Sequence, residues 1–169
     1  MPLAELLLPE FDAEVTATRR VLKRVPDGKG SWKPHPKSMT LGRLATLIAE
    51  LPGWAVHALT LDELDIMPPG GPPPKFEALE SRAKILELFD RNAAAARAAL
   101  AKASDAEFKK PWAFKVGGRT ITTNSKYTVY RQTVLNHLAH HRGQLTVYLR
   151  LNGAPVPAVY GPTADEPNF

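Results

Sequence analysis

Apolar side chains recur at helical intervals in four long stretches of the chain. In the first, Phe11, Val15, Thr18 and Leu22 fall at i, i+4, i+7 and i+11, and Pro26-Asp27-Gly28 stops the pattern, which predicts a helix over 5–24. The second is predicted over 38–60, capped by Ser38 or Thr40, with Leu41, Leu44, Leu47, Ile48 and Leu51 on one face and a bend or break at Pro52-Gly53. The stretch MPPGGPPP cannot be helical and reads as a stiff connector. A third helix is predicted over 75–103, its stripe formed by Leu79, Ala83, Leu86, Ala93 and Leu100, and its alanines allow close approach of a neighbour.

Over 112–123 the period changes. Trp112, Phe114 and Val116 alternate, Gly117-Gly118 suits a tight turn with positive φ, and a small β-hairpin is predicted. The fourth helix then runs over 124–151 and ends at Asn152-Gly153, with Pro155 preventing its resumption. The expected fold is all-α, a four-helix bundle with a hairpin before the last helix. Residues 1–169 are read as one domain. Its tail, 154–169, is too apolar to dangle, so Val156, Val159 and Tyr160 are expected to pack across the bundle. No internal repeat, βαβ alternation or glycine-rich phosphate loop is present.

Composition narrows the chemistry. The 169 residues include no cysteine, which excludes disulfide scaffolds, thiolate metal sites, Cys nucleophiles and iron–sulfur clusters. The N-terminal stretch lacks the basic region of a secretory signal, and no window approaches a membrane span, so the chain is expected to be soluble and cytoplasmic. Of the net charge of +5, the excess sits in the second half: residues 86–169 hold eleven Lys or Arg against six Asp or Glu. Such a distribution could attract an anion or nucleic acid, but it reads first as a solvated face, since no recognition motif accompanies it.

The candidate chemistry lies in NHLAHHRGQL. On a helical wheel Tyr130, Val134, Leu138, His141, Leu145 and Tyr148 form the buried stripe, with His137 at its edge, so His137 and His141 both face inward. Imidazoles at i and i+4 can grip one divalent ion, and they can equally be core groups satisfied by hydrogen bonds. Neither His35 nor His57 is placed to add a third ligand. Gln144 and Arg142 lie beside the pair, where either could orient a substrate anion or a ligand, or Arg142 could pair with a carboxylate at the rim. Trp32, Trp54 and Trp112 are read as closing the ends of the core, with a ligand cleft as the alternative.

The segments SMTLGRLATLIAELPGW, PWAFKVGGRT and LNHLAHHRGQLTVYLRLNGAPVPAVYGPTADE, in this order, resemble the DinB/YfiT-like superfamily. The resemblance implies up-down-down-up helices, frequent homodimers, and a divalent metal, nickel or zinc, held by three inward His residues. It also implies relatives that act on small molecules as thiol-dependent transferases, isomerases or metal-dependent hydrolases. Two ligands carry over to His137 and His141. The third falls on Leu47, whose side chain cannot coordinate.

Three accounts follow from that departure. The pair could hold a metal completed by water, substrate or Glu50. The site could instead be degenerate, in a metal-free bundle that serves as a small-ligand-binding or dimeric scaffold module. A nucleic-acid binder, with Arg131, Arg142 and the basic hairpin as its contacts, ranks last.

Overall fold

A computed structural model describes residues 1–167 and shows a mainly helical chain with one three-stranded sheet. The tail expected over 154–169 is thus described as far as Pro167; Asn168 and Phe169 lie outside the described residues.

Helix α1 spans Leu3–Leu22 and buries Leu7, Phe11, Thr18 and Leu22, the stripe its periodicity predicts. Helix α2 covers Leu41–Glu50, where the Thr40 hydroxyl caps it by accepting a hydrogen bond from the Arg43 amide at 3.2 Å. Its core face is Leu41, Leu44, Ala45, Ile48 and Ala49. Arg43, Leu47 and Glu50 occupy the half-buried flank. At Leu51–Gly53 the helix tightens to a 3₁₀ turn before α3, Trp54–Thr60, so the predicted second helix is one bent, interrupted rod.

The third predicted helix is corrected. Residues 75–81 are not helical, and α4 spans Arg82–Lys102. Its buried stripe is Ile85, Phe89, Ala93, Ala96 and Leu100, whereas Ala83 is exposed. The cause lies outside the segment: the Leu79 amide donates to the Thr46 hydroxyl at 2.8 Å, and Arg43 donates to the Glu77 carbonyl at 3.3 Å. These bonds to α2 hold the backbone extended. A short helix α5, Asp105–Lys109, capped by Ser104, follows α4.

The hairpin is present as β2 (Pro111–Val116) and β3 (Arg119–Ser125), paired antiparallel with Trp112 opposite Asn124 and Phe114 opposite Thr122. Gly117 and Gly118 both take positive φ, the backbone of a type I′ turn. A third strand, β1 (Glu63–Asp65), adds parallel to β2 and is an addition to the sequence reading. The Asp65 carboxylate holds it there by accepting the Gly117 and Gly118 amides at 3.1 and 2.6 Å and the Met67 amide at 2.9 Å.

The last helical stretch opens at Ser125, whose hydroxyl accepts the Thr128 amide at 3.2 Å. It is not uniformly α. Helix α6 (Lys126–Val129) gives way to a π-helical segment at Tyr130–Asn136, and α7 (His137–Leu151) begins at the first imidazole. A wider π turn redirects the side chains before it relative to those after it, and such turns concentrate at functional sites.

Buried charges tie the elements together. The Lys126 ammonium, 1% exposed, meets Glu107 of α5 and, at 3.0 Å, Asp62 before β1. Arg142, 2% exposed, pairs with Glu14 of α1 at 2.7 Å, donates to the Thr18 hydroxyl at 3.1 Å, and reaches the Tyr160 hydroxyl. In the tail, Val156 and Val159 pack on the core and Ala158 is buried. Tyr160 keeps its ring largely exposed and engages through its hydroxyl, which also donates to Glu14 at 2.8 Å.

Candidate metal and ligand site

His137 and His141 lie one helical turn apart at the start of α7, and their side chains converge. The Nε2 atoms stand 2.8 Å apart, with ring centroids 4.6 Å apart. His141 is buried and His137 half-buried, as the wheel predicts. The His141 Nδ1 faces the Gln144 Oε1 at 2.7 Å, and the Gln144 amide nitrogen faces the His140 Nε2 at 3.1 Å.

With Nδ1–H of His141 donated to Gln144, its Nε2 presents a lone pair to His137. His137 meets that lone pair with its own Nε2–H in one tautomer, making a hydrogen bond, and with a second lone pair in the other, leaving the gap open to a cation. Burial is the largest influence holding both imidazoles below the ordinary histidine range. The charge of His141 adds to this for His137, while for His141 the Gln144 bond opposes it and the charges of His140 and Arg43 reinforce it. The pair is therefore neutral and able to donate at neutral pH.

Two nitrogens each about 2.1 Å from one ion sit about 3 Å apart at a right angle and about 3.4 Å apart at the tetrahedral angle, so the pair at 2.8 Å suits two adjacent positions of a divalent ion after a small outward movement of the rings. The third position differs. Tyr148 donates to the Met39 carbonyl at 3.2 Å, and Arg43 lies within electrostatic reach of His141, so α2 runs antiparallel along α7. Leu47, one turn beyond Arg43, comes level with the two imidazoles and contributes no donor atom. Glu50, the displaced carboxylate weighed from sequence, is bound to Arg43 at 3.0 Å. Among the described residues no group of three or more His, Cys, Asp or Glu is clustered as a metal set. The donors present fit two ligands, and water or substrate must complete the shell.

His137 also borders a cavity of about 370 Å³ between the sheet and the helices. Its apolar wall is Trp54 of α3, Trp112 and Phe114 of β2, and Val129 of α6. Its polar groups are Thr122 and Asn124 of β3, with Gln132 and Thr133 of the π segment. The Trp112 and Phe114 rings are nearly parallel, 16° apart in plane with centroids 6.4 Å apart, and the Trp112 indole donates to the His57 carbonyl at 3.2 Å. Of the three tryptophans read as core closures, Trp32 packs edge-on against Tyr148, while Trp54 and Trp112 line the cavity. Thr122, Asn124, Gln132 and Thr133 were absent from the sequence reading. For Thr122 and Asn124 the signal existed, because the predicted hairpin places them across from Phe114 and Trp112.

The basic second half is largely neutralised locally. Arg142 and Lys126 are buried against carboxylates, Arg131 meets Glu10 at 2.5 Å, Lys115 meets Glu63 at 2.5 Å and Arg150 meets Asp165 at 2.5 Å. Of the two roles read for Arg142, pairing with a carboxylate is the one the structure shows, with Glu14, and α1 and the tail enclose it away from the flank a nucleic acid would need. No helix of the described residues is long and apolar enough to cross a membrane.

A sequence model of the DinB family matches residues 3–168. A DinB-like protein of Bacillus cereus ATCC 10987 has a similar solved structure, with a TM-score of 0.70, 25% identity, and coverage of 94% of this chain and 98% of that one. A DinB-like protein of Bacillus subtilis, YjoA, is similar in fold, with a TM-score of 0.69 at 15% identity over 91% of this chain and 97% of that one. The uncharacterized Bacillus subtilis protein YrdA is 48% identical over 33 residues, a stretch spanning 20% of each chain.

Proposed function

The chain belongs to the DinB family, and we propose that His137 and His141 hold a divalent metal, nickel or zinc, beside the aromatic-walled cavity, serving the conversion of a small molecule. The carrying observation is the pair of Nε2 atoms 2.8 Å apart, with the outer nitrogen of His141 engaged by Gln144. The ion, when bound, would supply Lewis acidity and a water of lowered pKa, the chemistry of a hydrolase or thiol-dependent transferase. The chain's own part is to orient the donors: Gln144 fixes the His141 tautomer, and the sheet shields one side from water.

The same reading takes α1, α2 with α3, α4, and α6 through α7 as the family's up-down-down-up bundle. It is supported by Arg82 donating to Asp27 at 2.8 Å and Tyr148 to Met39 at one end, and by Leu3 donating to Asp105 at 2.8 Å at the other.

Calorimetric titration of untagged protein with nickel and with zinc tests the metal. One equivalent should bind, and His137→Ala and His141→Ala should each abolish saturable binding. Unchanged binding in both variants would refute the assignment. Leu47, and Glu50 held by Arg43, favour a second reading, a metal-free ligand-binding module; ligand uptake without metal uptake would select it.

A further inference from the structure

The cavity beside His137 carries information about its occupant that the imidazole pair does not. Among the nine lining residues none is Lys, Arg, Asp or Glu. Its only ionisable member is His137, at the edge of the lining beside His141. A charged ligand would surrender its hydration there without a counter-charge, at a cost that excludes it from such a site. Three aromatic rings converge on the same space. Trp112 and Phe114, at i and i+2 on one face of β2, present parallel planes, and the bond from the Trp112 indole to the His57 carbonyl fixes the first of them. Trp112 is itself nearly buried and backs the wall, so the half-buried Trp54 and Phe114 offer the ring faces on which a flat partner can stack. Opposite them, Asn124, Gln132 and the Thr122 and Thr133 hydroxyls are neutral donors and acceptors, suited to a hydroxyl or carbonyl edge.

We infer that this cavity binds an uncharged, flat molecule of one or two aromatic rings, stacked on the Trp54 and Phe114 wall with a hydrogen-bonding edge turned toward Asn124, Gln132 and His137. This names the substrate class of the site proposed above. It rests on the cavity as the ligand site and not on the metal.

The three tryptophans supply the assay, since Trp54 and Trp112 line the cavity and Trp32 does not. Indole N–H signals of uniformly ¹⁵N-labelled, EDTA-treated protein would be followed during titration with 2-naphthol, and with its charged counterparts 2-naphthoate and naphthylmethylammonium. The Trp54 and Trp112 signals should move saturably with 2-naphthol while Trp32 stays, and both charged probes should bind at least about tenfold more weakly. Phe114→Ala, with its Trp32 signal in place as proof of folding, should weaken 2-naphthol about three- to tenfold. Charged probes binding as well as 2-naphthol, movement of all three indoles alike, or no saturable movement would overturn the inference. Parallel nickel titration separates the claims: 2-naphthol binding without metal binding sustains this inference and removes the metal, and metal binding without 2-naphthol binding does the reverse.

Discussion

Nε2 of His141 and Nε2 of His137 face each other across 2.8 Å, so the two rings can share one cation between them and cannot both be protonated without repulsion. Protons and metal ions therefore compete for the same few cubic ångströms.

This gives a pH dependence. Both folded-state pKa values lie below the ordinary value of 6.5, with burial the leading cause, whereas the unfolded chain titrates near that value. The unfolded state then binds more protons, so stability is full above pH 6.5 and falls as pH drops through it toward the depressed folded values. Denaturant melts of metal-free protein between pH 7.5 and 5 should show this decline, and the His137→Gln, His141→Gln double variant should flatten it. An equal slope in both proteins would contradict the assignment.

Leu47→His should place a third imidazole level with the pair. In metal-free protein the new polar group should cost about 1–3 kcal/mol. Added nickel or zinc at a hundredfold excess over Kd should return about 2.7 kcal/mol by binding the folded state. Melting temperatures with and without ion check it, and a variant that melts lower and gains no more than the parent would show that residue 47 faces elsewhere.

Tyr130 is fully buried and its hydroxyl has no hydrogen-bond partner among the described residues, with burial pushing its pKa up. Tyr130→Phe removes an unpaired polar group without changing the packing of the ring. It should leave stability unchanged or raise it by about 1 kcal/mol, read as a higher urea midpoint at constant slope. A loss of 1 kcal/mol or more would mean the hydroxyl has a bound water it needs.

Arg142 joins α7 to α1 and the tail through Glu14, Thr18 and Tyr160. Arg142→Met leaves Glu14 with the Tyr160 hydroxyl but without its counter-charge and should cost about 3 kcal/mol, as broken buried pairs do. Adding Glu14→Leu should recover much of that loss. A double variant as unstable as the sum of the singles would show that the two residues act independently.

Much of this was legible in the sequence, for reasons particular to each element. The inward direction of His137 and His141 follows from a 3.6-residue period that survives the π segment, because Tyr130 and Val134 still fall on the buried side. The start of α4 was not legible: Leu79 and Leu86 have helical spacing, and only Thr46 and Arg43, more than thirty positions away, hold 77–79 extended. Strand β1 is three residues whose pairing depends on Asp65 reaching the hairpin turn, a contact no local pattern encodes. Nothing in YRQTVLN marks it as a wider turn. The cavity's polar wall was hidden with it, since Gln132 and Thr133 sit on that turn.

The π segment divides the last helix into two parts that can evolve separately. Removing one residue between 130 and 136 would restore an ordinary helix, whose six residues turn through nearly the angle that the seven cover in the wider one, so the flanking elements would keep their facing and only the side chains inside the segment would be re-registered. Gln132 and Thr133 would leave the cavity wall while the imidazoles kept their spacing. Single-residue insertions and deletions there thus offer a way to exchange what the protein recognises while retaining the pair of nitrogens that acts on it.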